Sequence, residues 1–172
     1  MIFKSKIIRF PAYTVFLVVS LMLFSSLAKA EGKATAAENF TLKNQHGKNI
    51  KLSELRGQVV LLTFWSSQCG TCIKQFSNLN KLHVQFSVKD LSVLAINIGD
   101  NFKKIKQISK KFKPEFSLLF DQHNTVSKAY DIDDLPTYFL INRDGNLQNK
   151  FNAENLNDSK KTQVIIQGLL NE

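Results

Sequence analysis

Residues 58–75 read QVVLLTFWSSQCGTCIKQ, and they hold the only two cysteines of the 172-residue chain, Cys69 and Cys72. The run QVVLLTFW is mostly apolar and has the length of a strand that is covered on both faces. From just after Cys69 to Lys89, apolar residues recur at near-helical spacing. The sequence therefore predicts a buried strand followed directly by a helix whose first turn carries both cysteines.

The rest of the chain alternates between strand and helix patterns. NFTLKN and KNIKL flank the turn QHGK and predict a hairpin, and LSVLAINIG predicts a second buried strand. Later patterns predict two longer helices, Phe102–Phe112 and Ser159–Leu170, a short helix at TVSKAY, and strands at FSLLFD, LPTYFLIN and LQNKF. This alternation favours an α/β sandwich.

The first thirty residues have the pattern of a secretory signal. Three basic residues precede an apolar run over residues 12–27, which ends in Ala28-Lys29-Ala30. The run is shorter than the roughly 20 apolar residues of a membrane-spanning helix. We predict cleavage before Glu31, which leaves residues 31–172 as one domain, whereas an uncleaved segment would anchor the protein. Either way the chain is expected in an exported, periplasmic compartment where disulfides persist.

The charge balance is moderately basic. Four of the 23 basic residues and none of the 14 acidic ones lie in residues 1–30, so removing them lowers the net charge from +9 to +5. We interpret the lysine cluster of residues 103–111 as a solvated helix face rather than a docking patch. No basic-aromatic pattern indicates nucleic acid. We expect a monomer without a cofactor.

The cysteine pair has the spacing of a catalytic dithiol. Cys69 opens a helix, where unpartnered N–H groups and the helix dipole stabilise a thiolate. Cys72 lies one turn further in and is shielded, so we predict that Cys69 attacks and Cys72 resolves the mixed disulfide.

Three other interpretations of the pair stay open. A structural disulfide gains little from closing so short a loop. A metal site needs more ligands than the dispersed His46, His83 and His123 offer, so none is predicted. A lone peroxidatic cysteine is the third, because Ser66 stands three residues before Cys69.

Three stretches together carry a family resemblance: QVVLLTFWSSQCGTC, AINIGD and LFDQHNTVSKAYDIDDLPTYFLINRDGNL. They resemble the TlpA/ResA-like thioredoxin-fold proteins, which are exported thiol-disulfide oxidoreductases, over nearly all of residues 39–172. The resemblance implies a thioredoxin-like three-layer sandwich with a central mixed β-sheet and an added N-terminal β-hairpin.

The resemblance also implies roles for residues near the dithiol. Pro136 matches a cis-proline that packs against the dithiol, with Leu135 and Thr137 beside it in a substrate groove where a client strand pairs with the backbone. Trp65 matches an aromatic residue that lies beside the active site, with a plain core role as the alternative.

Three positions, Thr63, Gln68 and Thr71, depart from the usual thioredoxin pattern. Thr63 stands where many cytoplasmic members have a buried aspartate, and Asp100 stands where ResA-like members carry an acidic residue. We predict that Asp100 is the acid-base partner of Cys72, with helix capping as the alternative. Gln68 and Thr71 replace the usual tryptophan and proline, which leaves the redox potential open.

The resemblance implies a disulfide reductase that takes electrons from a membrane-bound thiol-disulfide donor. Its clients are expected to be exported proteins with cysteine pairs, among them apocytochrome c with its C-x-x-C-H motif. Alternatives on the same fold are a dithiol oxidase or isomerase, a thiol peroxidase and a metal-binding chaperone.

Overall fold

The computed structural model describes residues 35–152 and 159–172. The predicted signal segment lies outside the described residues. Within them, no helix is both long enough and apolar enough to cross a membrane.

Seven strands form one mixed sheet in the order β2-β1-β5-β4-β3-β6-β7. The β3–β4 and β4–β5 pairs are parallel and the other four are antiparallel. The strands are β1 (Thr41–Asn44), β2 (Asn49–Lys51), β3 (Val59–Trp65), β4 (Leu91–Ile98), β5 (Ser117–Asp121), β6 (Thr137–Ile141) and β7 (Leu147–Asn152). The predicted hairpin is the β1–β2 pair, and the predicted mixed sheet is confirmed.

The described part of the chain also has four α-helices: α1 (Gly70–Phe86), α2 (Phe102–Phe112), α3 (Thr125–Ala129) and α4 (Ser159–Leu170). Short 3₁₀ helices cover Leu52–Leu55 and Ser87–Lys89. Both predicted longer helices have the expected limits. The Asn101 side chain caps the start of α2, and Lys113 ends it in the left-handed conformation just before Pro114.

The sheet separates two hydrophobic clusters, because successive residues of each strand point to opposite faces. On β3, Leu61 and Trp65 face the cluster formed with α1, α2 and α4, whereas Leu62 and Phe64 face the cluster beneath α3. All seven residues of β3 are buried, as its apolar run predicts. The predicted three-layer sandwich is therefore confirmed, and β3 carries the chain through its centre to the start of α1.

Candidate active site

Cys69 and Cys72 are joined by a disulfide at the start of α1. Cys69 is the N-cap residue, and its sulfur accepts a hydrogen bond from the Cys72 backbone N–H at 3.1 Å. That N–H belongs to the first turn of the helix and has no carbonyl partner within it. The reduced sulfur of Cys69 would therefore sit where an N–H group and the helix dipole stabilise a thiolate.

The two sulfurs differ in their surroundings. Cys72 is only 2% exposed and belongs to the core cluster formed with Trp65 and Phe76. Cys69 is partly exposed, and its sulfur lies 3.7 Å from the carbonyl oxygen of Leu135. Because only Cys69 is open to solvent, its sulfur is the one that a bulky disulfide substrate can reach.

The Thr71 hydroxyl oxygen lies 3.2 Å from the Cys69 sulfur. A disulfide sulfur carries no hydrogen, so the hydroxyl is the donor in the oxidised protein. The same donor can stabilise a Cys69 thiolate after reduction, since hydrogen bonds to charged acceptors are stronger than neutral ones. Thr71 therefore supplies a polar contact at a position where proline, the usual residue, has no donor.

We expect Thr71→Val to lower the alkylation rate of reduced Cys69 at neutral pH by about threefold to tenfold, the effect of losing about 1 kcal/mol of thiolate stabilisation. The difference should shrink as the pH rises, because the effect acts through the thiolate fraction. Stopped-flow measurement with a neutral alkylating reagent checks this. Thr71→Ser keeps the hydroxyl and should react at the rate of the parent. Equal alkylation rates for Thr71→Val and Thr71→Ser at neutral pH would contradict a hydrogen-bonding role for Thr71.

The segment before β6 also lies next to the dithiol. The Leu135–Pro136 peptide bond is cis, as predicted. Pro136 is buried, and the Thr137 hydroxyl donates to the Asp134 carbonyl at 2.7 Å, which ties the start of β6 to the loop before it. The structure thus brings Leu135 to Cys69, with Pro136 and Thr137 following it.

Trp65 lies in the core beneath the dithiol. It is 1% exposed, its indole N–H donates to the Ala95 carbonyl at 3.3 Å, and its ring meets Phe76 edge-on with centroids 5.0 Å apart. Cys72 belongs to the same buried cluster, and a role for Trp65 at the active site stays a prediction, as does its direct contact with a substrate.

Thr63 and Tyr138 are partners across β3 and β6, and both are buried on the face that also holds Cys72. Burial raises the pKa of the Tyr138 phenol well above its usual range. The phenol is therefore neutral at physiological pH. Neither Thr63 nor Tyr138 places a charge in the core beneath the dithiol.

The Asp100 carboxylate is bound to the loop that leads into the dithiol. Oδ2 accepts from the Ser67 backbone N–H at 2.8 Å and from Asn97 Nδ2 at 2.7 Å, and Oδ1 accepts from the Ser67 hydroxyl at 2.5 Å. The capping alternative for Asp100 is wrong, because the side chain of Asn101 caps α2 by accepting from the Lys104 N–H at 2.9 Å. The acid-base role of Asp100 stays a prediction.

Ser67 and Asn97 also belong to the site, although neither was predicted from the sequence. Asn97 is fully buried at the end of β4, where the rest of the strand is mostly apolar. Since β3 and β4 are parallel neighbours, their carboxyl ends meet at one edge of the sheet. A polar residue near the end of an otherwise apolar strand was the feature of the sequence that could have indicated Asn97 as a site residue.

Two observations concern the peroxidatic-cysteine and metal-site interpretations of the pair. The Ser66 hydroxyl accepts from the Gln68 backbone N–H at 3.3 Å, so it is engaged within its own loop. Among the residues that the structure describes, no three His, Cys, Asp or Glu side chains are grouped so that they could hold a metal ion.

Comparison with known proteins places these features in a family. The model of the AhpC/TSA family matches residues 34–150. The thiol-disulfide oxidoreductase ResA of Bacillus subtilis (strain 168) is 35% identical over 109 residues, which are 63% of this chain and 61% of the relative. The ResA of a Bacillus cereus strain is 30% identical over 118 residues, 69% of this chain and 68% of the relative. The match thus spans about three fifths to two thirds of the length of these relatives.

A solved structure extends the likeness to the fold. The crystal structure of a Chlorobium tepidum protein assigned as thiol:disulfide interchange protein DsbE has a TM-score of 0.71 and 27% sequence identity. The alignment covers 78% of this chain and 98% of that one.

Proposed function

The chain belongs to the AhpC/TSA family, among its ResA/TlpA-like thiol-disulfide oxidoreductases, and we propose from this that it reduces disulfides in other exported proteins. The observation that carries the proposal is the asymmetry of the dithiol, with a partly exposed Cys69 at the helix start and a buried Cys72 behind it. This is the arrangement that an attacking and a resolving thiol require.

The reaction balances in two exchange steps. The Cys69 thiolate attacks one sulfur of a client disulfide, and the other client sulfur leaves as a thiolate and takes a proton. Cys72 then loses its proton and attacks the Cys69 sulfur, which releases the second client thiol and forms the Cys69–Cys72 disulfide. Two electrons have passed to the client, and a membrane-bound dithiol donor restores the pair.

Client binding is proposed to use the segment around Leu135, Pro136 and Thr137. A client strand that pairs with the Leu135 backbone would bring its disulfide next to Cys69, because the Leu135 carbonyl already lies 3.7 Å from that sulfur. Apocytochrome c, whose C-x-x-C-H must be reduced before haem attachment, is the proposed client class. The proposed working form is an exported, periplasmic monomer that binds no nucleic acid.

The direction of electron flow is tested by equilibrating the protein with defined ratios of reduced and oxidised dithiothreitol or glutathione. We expect a midpoint potential at or below about −200 mV, in the range of protein reductants. A value near about −120 mV, as strong dithiol oxidants have, would contradict the reductase and favour the oxidase alternative. Consumption of hydrogen peroxide by the reduced protein at a rate comparable to disulfide reduction would favour the peroxidase alternative.

A further inference from the structure

An open groove runs along the surface between α1 and α2 and begins beside the dithiol. The part near the dithiol has a volume of about 570 Å³, and the part beyond it has a volume of about 710 Å³. Ile73, Lys74 and Phe112 line both parts, so the two are adjacent. The groove extends from Ser67 and Gly70, next to Cys69, along the length of α1 to Gln85.

Apolar side chains are exposed in this groove. Phe112 is 38% exposed and Val84 is 55% exposed, and these are two of the four large apolar side chains that are exposed in the described part of the chain. The Phe112 ring meets Phe76 edge-on with centroids 6.1 Å apart, so its position is set by the core. Phe112 therefore presents an apolar surface in a fixed position to a ligand in the groove.

Lysines line both helices of the groove. Lys74 and Lys81 lie on α1 and Lys104 and Lys111 on α2, and each pair is seven residues apart, which places its members on one helix face two turns apart. Glu115 is the one acidic side chain among the lining residues. None of the four ammonium groups forms an ion pair with another described residue. Positive charge in the groove is thus available to a ligand.

The loop before β6 carries negative charge, and β6 lies on the side of β3 opposite to β4. Asp131, Asp133 and Asp134 are exposed on the loop that leads to Leu135, whose carbonyl lies 3.7 Å from the Cys69 sulfur. An acidic ligand near Cys69 is repelled from this loop and attracted to the lysines across the dithiol. The Asp100 carboxylate lies at the dithiol end of the groove, where Ser67 donates two hydrogen bonds to it. Beyond that end, the charge distribution favours an acidic ligand that lies along the lysines.

We propose that this groove binds an acidic segment, interrupted by apolar residues, of the redox protein that exchanges disulfides with Cys69. The proposal rests on the proposed thiol-disulfide function and adds the chemistry of the partner. From Gly70 to Gln85, α1 rises by about 22 Å. An extended segment of about seven residues spans that distance. The exchange chemistry is unchanged, since the groove contributes only non-covalent binding next to the reacting sulfur.

The test uses synthetic peptides as model partners. Each contains one cysteine in a mixed disulfide with a small thiol, joined to seven residues that are either Asp/Glu-rich with two leucines or the matching Asn/Gln sequence. Peptides with the cysteine at either end cover both directions along the groove. We expect the fully reduced protein to reduce one acidic peptide about tenfold faster than its neutral match at low ionic strength, with the preference falling as salt is added.

Matched charge reversals locate the effect. Combined Lys81→Glu, Lys104→Glu and Lys111→Glu should remove or invert the preference for the acidic peptide, and they leave Lys74, next to the cysteines, unchanged. Combined Lys43→Glu, Lys128→Glu and Lys160→Glu change the net charge equally at exposed positions that do not line the groove, and should keep the preference.

A neutral small disulfide separates this proposal from the proposed function. Parent and both triple variants should reduce it at similar rates. If the parent reduces it but shows no preference for either acidic peptide, or if both triple variants lose the preference equally, the groove proposal is overturned and the dithiol chemistry stands. If the parent reduces no disulfide at all, the proposed function itself fails.

Discussion

Cys69→Ser is expected to abolish disulfide reduction, with a loss of at least about a thousandfold, because it removes the group that forms the covalent intermediate. Cys72→Ser is expected to stop turnover at a different point. Its Cys69 still attacks, but the mixed disulfide persists because no second thiol resolves it. The physical reason is the burial of Cys72, which is 2% exposed, against the partly exposed sulfur of Cys69 at the helix start.

Mass spectrometry of each variant after incubation with an oxidised C-x-x-C-H peptide measures this prediction. The Cys72→Ser protein should gain the mass of one peptide, and dithiothreitol should remove it. Cys69→Ser should gain none over the same time, and the double variant is the control for non-specific adducts. A stable adduct on Cys69→Ser, with none on Cys72→Ser, would reverse the assignment of attacking and resolving cysteine.

The sequence was sufficient for the fold because its signals are local. The apolar run of β3 is buried along its whole length, and α2 has its predicted limits because Pro114 and the residues before it oppose a longer helix. The short connections between the elements leave few ways to arrange them. The resemblance added what periodicity could not supply, namely the cis peptide bond at Pro136 and the addition of the N-terminal hairpin to the thioredoxin-like sandwich.

The site was harder to predict because its polar contacts join distant parts of the chain. Ser67 and Asp100 are 33 residues apart and meet only because β3 and β4 are parallel neighbours. The groove that we propose as a binding site depends on tertiary packing for a related reason. Lys104 and Lys111 share one face of α2, but only the packing of α1 next to it makes that face one wall of a groove.

Asp100 can serve the site in two ways: its hydrogen bonds anchor the loop before Cys69, and its carboxyl group can also transfer a proton. Anchoring requires an acceptor for Ser67 and Asn97, whereas acid-base work requires an ionisable carboxyl group. Asparagine separates the two. Its carbonyl oxygen can accept from the Ser67 N–H and from Asn97 Nδ2, and its amide can donate to the Ser67 hydroxyl, which is also an acceptor.

We propose that Asp100 takes the proton of Cys72, and we therefore expect Asp100→Asn to slow resolution of the mixed disulfide by about a hundredfold. Its unfolding midpoint in urea should stay near that of the parent. Asp100→Ala, which also removes the anchor, should in addition lower the free energy of unfolding by about 1–3 kcal/mol. Ser67→Ala weakens the anchor and keeps the carboxyl group, so its resolution rate should exceed that of Asp100→Asn.

Single-turnover release of the second client thiol isolates the resolution step from the first attack, and the alkylation rate of Cys69 reports the attack separately. The base role predicts that Asp100→Asn changes the release rate and its pH dependence while the alkylation rate stays close to that of the parent. Equal release rates for Asp100→Asn and the parent between about pH 6 and about pH 9 would leave Asp100 with anchoring alone. In that case Asp100→Ala and Ser67→Ala should both slow disulfide reduction, because Asp100 would act only by anchoring the loop before Cys69.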